Sequence, residues 1–381
     1  MKNKNMIRSI IVGTGSYVPP NIIPNSYFLD HQFYDANGNI LPQSNEEVIN
    51  KFQEITGINS RRYASANFVA SDLGFFAAHS ALESSGIDPE SLDYIIVAHN
   101  FGDVKFDNRK SDFVPSLAAR IKYKLGIKNP KCIAMDLPFG CPGWLQGVIM
   151  ADYIIRSGDA KRVMVIGTET LSRVCDPHDR DSMIYADGSG ASILEACSVS
   201  SEMQDMPDGS ECPISKVSDN HVGVLSHSVR SDTIDHSQLL WMGKSYNPDY
   251  FGDDLFLKMK GSELYAYALD NVPIVVKEAL DKAGLTLSDV KKLLIHQANE
   301  KMDNKILQRV CKLYGIKEIP WHIMPMTIHE FGNSSVATIP TLLDFIMKGQ
   351  LEGHEFKSGD IIVFASVGAG MNINVVVYRI P

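Results

Sequence analysis

The chain repeats the same series of motifs in its two halves, and this duplication constrains the fold more than any other feature. Each copy has an apolar strand, a helix that stops at Gly-Ile, a Phe-Gly corner before another helix, and a Ser-Gly-Asp turn before a further strand. Chance accounts for one such match more readily than for four in the same order, so we infer two copies of one α/β unit. The matched pairs are Tyr94–Asn100 with Lys292–Asn299, Leu125–Ile127 with Tyr314–Ile316, Pro138–Cys141 with Glu330–Asn333, and Arg156–Asp159 with Lys357–Asp360.

The strands are apolar throughout and alternate with helices, which predicts an α/β fold with parallel sheet. We expect a pseudo-twofold axis between the copies, so that the corners at Cys141 and Asn333, about 190 residues apart, face one pocket. Between the copies the composition shifts to Ser, Asp, Gly and Pro, which indicates strands with long surface loops. The predicted division is residues 1–197 as an N-terminal half, 198–260 as a variable segment near the pocket, and 261–381 as a C-terminal half.

Composition argues against several other classes of protein. The 381 residues carry a formal net charge of −9 without a long cluster of Lys and Arg, which disfavours a nucleic-acid partner. The sequence contains no apolar stretch of membrane-span length, and we interpret the short apolar run near the N-terminus as a first strand. The 6 cysteines lack CxxC spacing, so we expect no metal site, no disulfide scaffold and a reducing cytoplasm.

Cys141 is the candidate nucleophile of the first copy. It follows a short apolar strand and Gly140, which can adopt the positive φ that a strand-to-helix corner often requires. Pro142 suits a first helical turn, so the sequence places Cys141 at a helix N-terminus. The helix dipole would there lower the pKa of the thiol and favour the reactive thiolate. The alternative is a small buried hydrophobic residue, which is the usual role of a free cysteine.

With these features the chain resembles the β-ketoacyl-acyl-carrier-protein synthase III family, which are condensing enzymes of the thiolase superfamily. The resemblance spans residues 7 to 379, and it implies a thiolase-like duplicated fold with layers in the order α-β-α-β-α. The motifs that carry it, besides Cys141, are His296-Gln-Ala-Asn299, Gly332-Asn333-Ser-Ser-Val-Ala-Thr-Ile-Pro340, Asp187-Gly-Ser-Gly190, Thr56-Gly-Ile58 with Arg61-Arg62, and Gly368-Ala-Gly370.

The resemblance implies a mechanism and a role for each site residue. Cys141 would take an acyl group from a thioester. The second substrate would be an extender of the malonyl- or β-ketoacyl-carrier-protein type, and a malonyl thioester would lose CO2 to form an enolate-like carbanion. His296 and Asn333 would donate hydrogen bonds to the enolate oxygen. The backbone N–H groups of Cys141 and Ala369 would form a second oxyanion hole for the acyl carbonyl. The substrates would be thioesters of acyl carrier protein or coenzyme A, with no permanently bound cofactor and no metal.

The resemblance also implies partners. Exposed basic residues on the helix after His296 would dock an acidic acyl carrier protein, with an ordinary solvated face as the alternative. Lys51 and Ile55 replace the Trp and Arg with which relatives primed by coenzyme A often enclose adenine, which favours a carrier-protein donor. A homodimer is expected because the family completes its pocket across a twofold interface. The predicted docking residues are Lys301, Lys305, Arg309 and Lys312, and the predicted tunnel residues are Phe113, Val114 and Phe139.

Other functions remain open at this point. A papain-like hydrolase has Cys, His and Asn in the same order, but it would not need the internal repeat. A noncatalytic partner subunit would usually lack the cysteine. An enzyme of this fold could also transfer the acyl group to an oxygen or nitrogen nucleophile, or join two long acyl thioesters head to head. The departures from the family pattern favour a specialised member with a longer acyl chain, or one of secondary lipid, pigment or polyketide synthesis.

Overall fold

Two β-sheets with the same strand pattern form the centre of the fold, with helices between them and on both outer faces. The structure is a computed structural model that describes residues 6–199 and 222–381. Its layers therefore follow the order α-β-α-β-α, and the thiolase-like α/β fold predicted from the sequence is confirmed. Within the described residues, no helix combines the length and the apolar character that a membrane span requires.

The first half contributes the larger sheet and the helices that cover its outer face. Its described strands are β1 (Met6–Tyr17), β2 (Asn21–Pro24), β3 (Ser60–Tyr63), β4 (Tyr94–His99), β5 (Asp103–Lys105), β6 (Asn108–Asp112), β7 (Ile133–Pro138), β8 (Arg162–Thr170) and β9 (Asp187–Val199). Its helices are α1 (Asn45–Thr56), α2 (Ala70–Ser85), α3 (Leu117–Lys124) and α4 (Gly143–Ser157).

The second half repeats this arrangement in a shorter chain. Its described strands are β10 (Gly223–Ser231), β11 (Leu240–Gly243), β12 (Phe256–Met259), β13 (Val290–Ile295), β14 (Ile361–Gly368) and β15 (Asn372–Arg379). Its helices are α5 (Thr233–His236), α6 (Gly261–Lys282), α7 (Glu300–Leu313), α8 (Ile328–Phe331) and α9 (Thr338–Met347).

The strand orders of the two sheets demonstrate the duplication. The first sheet has the order β1-β9-β8-β4-β7 and the second has β10-β15-β14-β13. In each sheet one pair of neighbouring strands, β4 with β8 or β13 with β14, is parallel. The next two pairs along the sheet, β8 with β9 and β9 with β1 or β14 with β15 and β15 with β10, are antiparallel. Strands β1, β9, β8 and β4 therefore correspond to β10, β15, β14 and β13, and the two-copy prediction is confirmed.

Helices α4 and α9 form the middle layer and join the two sheets into one core. Trp144 and Val148 of α4 and Leu342 of α9 are buried in a cluster with Val165 of the first sheet and Phe364 of the second. The Trp144 and Phe364 rings meet edge to face with their centroids 5.8 Å apart. Helix α4 begins two residues after Cys141, and α9 begins at Thr338 after one short turn that follows Asn333. The packing of the middle layer therefore brings the two corners together.

The described part of the segment between the halves contains strands, as the sequence analysis expected, and one of them joins the sheet of the second half. Strand β10 pairs along its length with β15, from Gly223 with Arg379 to Ser231 with Asn372. The sheet of the second half therefore includes residues that the sequence division assigned to the variable segment 198–260. Strands β11 and β12 of that segment form a separate hairpin, whereas residues 200–221 lie outside the described residues.

Candidate active site

A cavity of about 680 Å³ lies between the two halves, and the three predicted catalytic residues share its wall. Cys141 comes from the corner before α4, His296 from the end of β13 and Asn333 from the corner before α9. The prediction that the two equivalent corners face one pocket is thus confirmed. Charged and polar residues of α1 and α7, including Lys51 and Lys301, line the same cavity.

The corner at Cys141 differs in one respect from the sequence prediction. Gly140 has the expected positive φ of 77°, and its carbonyl accepts a hydrogen bond of 2.9 Å from the Gly143 N–H. Pro142 is the N-cap and α4 begins at Gly143, so Cys141 precedes the first helical turn. The thiol therefore lies next to the helix N-terminus but outside the turn where the dipole is most effective.

Burial dominates the acidity of Cys141. It raises the pKa of the thiol to about 11, and the negative charge of Glu169 acts in the same direction. A hydrogen bond from the Ser335 hydroxyl, 3.2 Å from Sγ, lowers the pKa of the thiol but does not offset the larger effect of burial. The sequence-based prediction of a lowered thiol pKa is therefore wrong, because desolvation of the thiolate outweighs the helix dipole in this site.

His296 is held as a neutral imidazole. It directly follows β13, and its backbone N–H donates to the Ala365 carbonyl of β14 at 2.8 Å, which continues the sheet. Burial lowers the pKa of the imidazole to about 4, with a backbone hydrogen bond to Ser335 opposing the shift. A neutral imidazole carries one N–H, so near neutral pH His296 can donate only one hydrogen bond.

The residues after His296 have structural roles. The Gln297 amide oxygen accepts hydrogen bonds from the N–H groups of Thr327 at 2.8 Å and Ile328 at 3.0 Å, and its nitrogen donates to the Pro325 carbonyl at 2.9 Å. Asn299 caps α7 by accepting from the Met302 N–H at 3.0 Å. This motif therefore anchors the loop that leads to Asn333.

Asn333 is fixed through both its backbone and its side chain. Its N–H donates to the Ile184 carbonyl at 3.0 Å, and its own carbonyl accepts from the Ala186 N–H at 2.8 Å. Its side-chain oxygen accepts from the Ser335 N–H at 2.7 Å. Because the oxygen is engaged in this way, the amide nitrogen is the end of the side chain that can donate to a bound group.

The turn after β14 packs directly against Cys141. A Cβ atom on Gly368 would lie 2.7 Å from the Cys141 nitrogen and 2.8 Å from its Cβ, so only glycine permits this approach. Ala369 follows and lines the cavity, and its nitrogen would lie 3.1 Å from a Cβ on Gly140. The backbone N–H groups of Cys141 and Ala369 therefore occur in one small region, and their role as an oxyanion hole stays a prediction.

The predicted tunnel residues do not line the cavity within one chain. Val114 is 85 % exposed and Phe113 is 45 % exposed, and Phe139 is half-buried without contributing to the cavity wall. The apolar wall instead comes from side chains that the sequence analysis missed. Two of them could have been found from the sequence, because Phe101 and Leu171 follow the ends of strands β4 and β8, where α/β proteins commonly bind ligands. These wall residues are Phe101, Leu171, Met183, Tyr185, Leu240, Leu257 and Met259.

The four predicted docking residues are exposed on α7, but they differ in whether their charges are already paired with other side chains of the chain. Lys301 pairs with Glu54 at 3.2 Å, and Arg309 pairs with Asp270. The Lys305 ammonium lies 5.5 Å from the centre of the Tyr265 ring. Within the described residues Lys312 forms no ion pair.

Among the same described residues, no group of three or more His, Cys, Asp or Glu side chains lies close enough together to hold a metal ion.

Sequence and structure comparisons identify relatives over the full length of the chain. The family described as 3-oxoacyl-[acyl-carrier-protein] synthase III matches residues 135–207, and its C-terminal counterpart matches residues 280–380. The β-ketoacyl-[acyl-carrier-protein] synthase III of Cereibacter sphaeroides is 31 % identical over 374 residues, which cover 98 % of this chain and 99 % of the relative.

Solved structures agree with this match. A β-ketoacyl-[acyl-carrier-protein] synthase III from Thermus thermophilus superimposes with a TM-score of 0.76 at 26 % identity, covering 98 % of this chain and 99 % of the other. The priming β-ketosynthase of the R1128 polyketide pathway has a TM-score of 0.75 at 23 % identity, and the match covers 100 % of this chain and 98 % of the other. The similarity to the polyketide enzyme shows only that the two proteins share a fold.

Alkylation of Cys141 by iodoacetamide should accelerate about tenfold per pH unit between about pH 7 and about pH 10, because only the thiolate reacts. The thiol pKa of about 11 places the plateau above this range. Mass spectrometry of the Cys141 peptide measures the rate, with Cys141→Ala as the control. A plateau below about pH 8 would contradict the effect of burial described above.

Proposed function

The chain belongs to the 3-oxoacyl-[acyl-carrier-protein] synthase III family and is a condensing acyltransferase of fatty acid or polyketide synthesis, and we propose that it works through an acyl-Cys141 intermediate. The observation that carries this proposal is the common cavity of Cys141, His296 and Asn333, which supplies one nucleophile and two neutral donors. We further propose that the condensation is decarboxylative, with a malonyl-type thioester as the second substrate.

The first step loads the enzyme. The Cys141 sulfur attacks the carbonyl carbon of the acyl thioester, a new C–S bond forms, and the bond to the donor sulfur breaks. The departing thiolate takes up a proton, so that one thiol is exchanged for another. The N–H groups of Cys141 and Ala369 would donate to the carbonyl oxygen while it carries negative charge.

The second step forms the carbon–carbon bond. The malonyl carboxylate leaves as CO2, and its electron pair stays on the α-carbon and the thioester oxygen as an enolate. His296 and Asn333 would each donate one hydrogen bond to that oxygen, and in a buried site such donors are stronger than in water. The carbanion then attacks the acyl-Cys141 carbonyl and expels the sulfur. No base has to remove a proton, which suits a histidine with a pKa of about 4.

A pair of substitutions separates the two steps. We expect Cys141→Ala to abolish acyl loading, because it removes the sulfur that forms the thioester. Asn333→Ala should load at nearly the wild-type rate but condense about 100-fold to 1,000-fold more slowly, because one donor to the enolate is lost. Intact-protein mass, recorded with acyl thioesters of increasing length and again after malonyl carrier protein is added, measures both steps.

The same measurement tests the alternatives. If malonyl carrier protein left the adduct untouched, the function would be acyl transfer to another nucleophile or head-to-head condensation. If no thioester produced an adduct, Cys141 would not be the nucleophile. Normal condensation by Asn333→Ala would contradict the enolate role.

We propose that α7 docks an acyl carrier protein. The carrier is acidic, and this helix borders the cavity mouth through Lys301 and Met302. Lys305 and Lys312 are the docking candidates without an ion-pair partner among the described residues, and Lys305 lies near the Tyr265 ring. Lys301 is partly neutralised by Glu54.

Charge reversal at Lys312 tests the docking face. Lys312→Glu should raise the KM for carrier-protein substrates about fivefold, because a favourable charge pair becomes repulsive. The KM for the matching coenzyme A thioester should stay unchanged. The control is Lys128→Glu, which makes the same charge change at an exposed lysine outside α7. Equal effects on both kinds of substrate, or at both positions, would contradict docking on α7.

We also propose that the enzyme is a homodimer in which Val114 completes the tunnel of the partner. Several large apolar side chains are exposed on the β5–β6 hairpin and around α3, an arrangement typical of a protein interface. They are Phe106, Phe113, Val114 and Tyr123.

Substitutions of Val114 separate assembly from chain-length selection. Val114→Asp should shift the protein towards monomer in sedimentation experiments, because it buries a charge in an apolar interface. Val114→Phe should remain dimeric but accept only shorter acyl chains, because it narrows the tunnel. Ile234→Asp, which alters an equally exposed apolar residue elsewhere, should change neither property. A dimeric Val114→Asp protein with unaltered chain length would refute the proposal.

A further inference from the structure

One side chain outside the predicted set contacts the reactive sulfur. The Ser335 hydroxyl lies 3.2 Å from Cys141 Sγ and donates to it. Ser335 adopts a positive φ of 53°, which is uncommon for a residue with a side chain. Its N–H is tied to the Asn333 side-chain oxygen at 2.7 Å, so the same residue contacts both the nucleophile and the amide that faces the cavity.

The direction of the Ser335 hydroxyl is set by Asn100. The Asn100 amide nitrogen donates to Ser335 Oγ at 3.0 Å, which occupies one acceptor site of the hydroxyl and leaves its hydrogen for another group. The described acceptor for that hydrogen is the sulfur of Cys141. Ser335 is therefore arranged as a donor toward the nucleophile.

Asn100 is in turn oriented by Glu169. One oxygen of Glu169 accepts from the Asn100 backbone N–H at 2.8 Å and also from its side-chain nitrogen. If the Asn100 amide were flipped, its oxygen would face the Glu169 oxygen, so this contact selects the orientation that donates to Ser335. Burial raises the pKa of Glu169 to about 8, but this oxygen can accept whether the carboxyl group is neutral or ionised.

Cys141 has a particular need for such a donor. It precedes the first turn of α4, and burial disfavours its charged form, so the helix N-terminus alone leaves the thiolate scarce. The Ser335 hydroxyl is the side-chain donor that the described residues place on the sulfur. A hydrogen bond to a charged acceptor is stronger than one to a neutral acceptor, so this contact stabilises the thiolate more than the thiol.

We infer that Ser335 is a further catalytic residue, which stabilises the Cys141 thiolate by hydrogen bonding, and that Asn100 and Glu169 are positioning residues that fix the direction of this bond. The inference rests on the proposed role of Cys141 as the acyl acceptor. Ser335 would assist formation of the thiolate before loading, and it would stabilise the sulfur again when condensation expels it.

The test is the pH dependence of Cys141 alkylation by iodoacetamide, followed on the Cys141 peptide so that the other cysteines do not interfere. Ser335→Ala should react about tenfold more slowly at about pH 8, because the thiol pKa rises by about one unit. The matched control is Ser334→Ala, since Ser334 faces the Thr338 hydroxyl at 3.4 Å instead of the sulfur. The control should follow the wild-type curve.

A second variant separates hydrogen-bond direction from structure. Asn100→Asp keeps the size of the side chain but replaces the donor with an acceptor, so the Ser335 hydrogen should turn from Cys141 to Asp. Alkylation should then slow at least as much as in Ser335→Ala, although the hydroxyl is still present, because the hydrogen bond to the sulfur is lost and the added carboxylate also disfavours the thiolate. Glu169→Gln retains an oxygen that can accept from Asn100 but removes a negative charge that raises the Cys141 pKa, so its alkylation should be no slower than that of the wild type.

Two results would overturn the inference. One is a folded Ser335→Ala protein with the wild-type alkylation profile. If that protein did not fold, an unchanged profile in Asn100→Asp would be decisive instead. Because alkylation needs no thioester, a failure of the wild type to load acyl groups would overturn the proposed function and leave this test of Ser335 intact.

Discussion

The site depends on a close approach of backbone between the two halves. The turn that follows Asn333 reaches the end of the first sheet, where a Cβ on Gly167 would lie only 2.3 Å from the Val336 carbonyl oxygen. Side chains cannot fit between these segments, so the glycine permits contact that a larger residue would prevent. This contact, together with the backbone bonds of Asn333 to Ile184 and Ala186, places residues of the second half beside Cys141.

Burial is the second constraint, and it shifts the pKa values of three titratable groups around the sulfur. It raises the pKa values of Cys141 and Glu169 and lowers that of His296. All three groups therefore tend toward their neutral forms near neutral pH. Neutral donors at a buried position of this kind act on developing negative charge more strongly than they would in water, which favours oxyanion stabilisation.

Much of the fold could be predicted because short, contiguous sequence patterns determine its helices and strands. Apolar strands, Gly-terminated helices and the repeated corners determine element type, and the repetition indicates that the two halves share a topology. Strands were expected in the segment that contains β10, but its place in the second sheet was not, because an edge strand in a polar stretch has little periodicity and its position was decided by pairing with β15. Part of the apolar cavity wall was missed for a related reason, since Leu240 and Leu257 belong to the segment between the halves, where the sequence has no motif.

The sequence by itself determined which residue types occupy the two corners and the end of β13, because these positions belong to motifs that are contiguous in the chain. It also determined that the corners are equivalent and should meet. Only the tertiary structure decided the electrostatics of Cys141, since the helix start at Gly143 and the burial of the thiol depend on packing between the halves. The series of hydrogen bonds from Glu169 through Asn100 and Ser335 to the sulfur was likewise decided by tertiary structure. Asn100 and Ser335 are 235 positions apart in the chain, and only the folding brings them into contact.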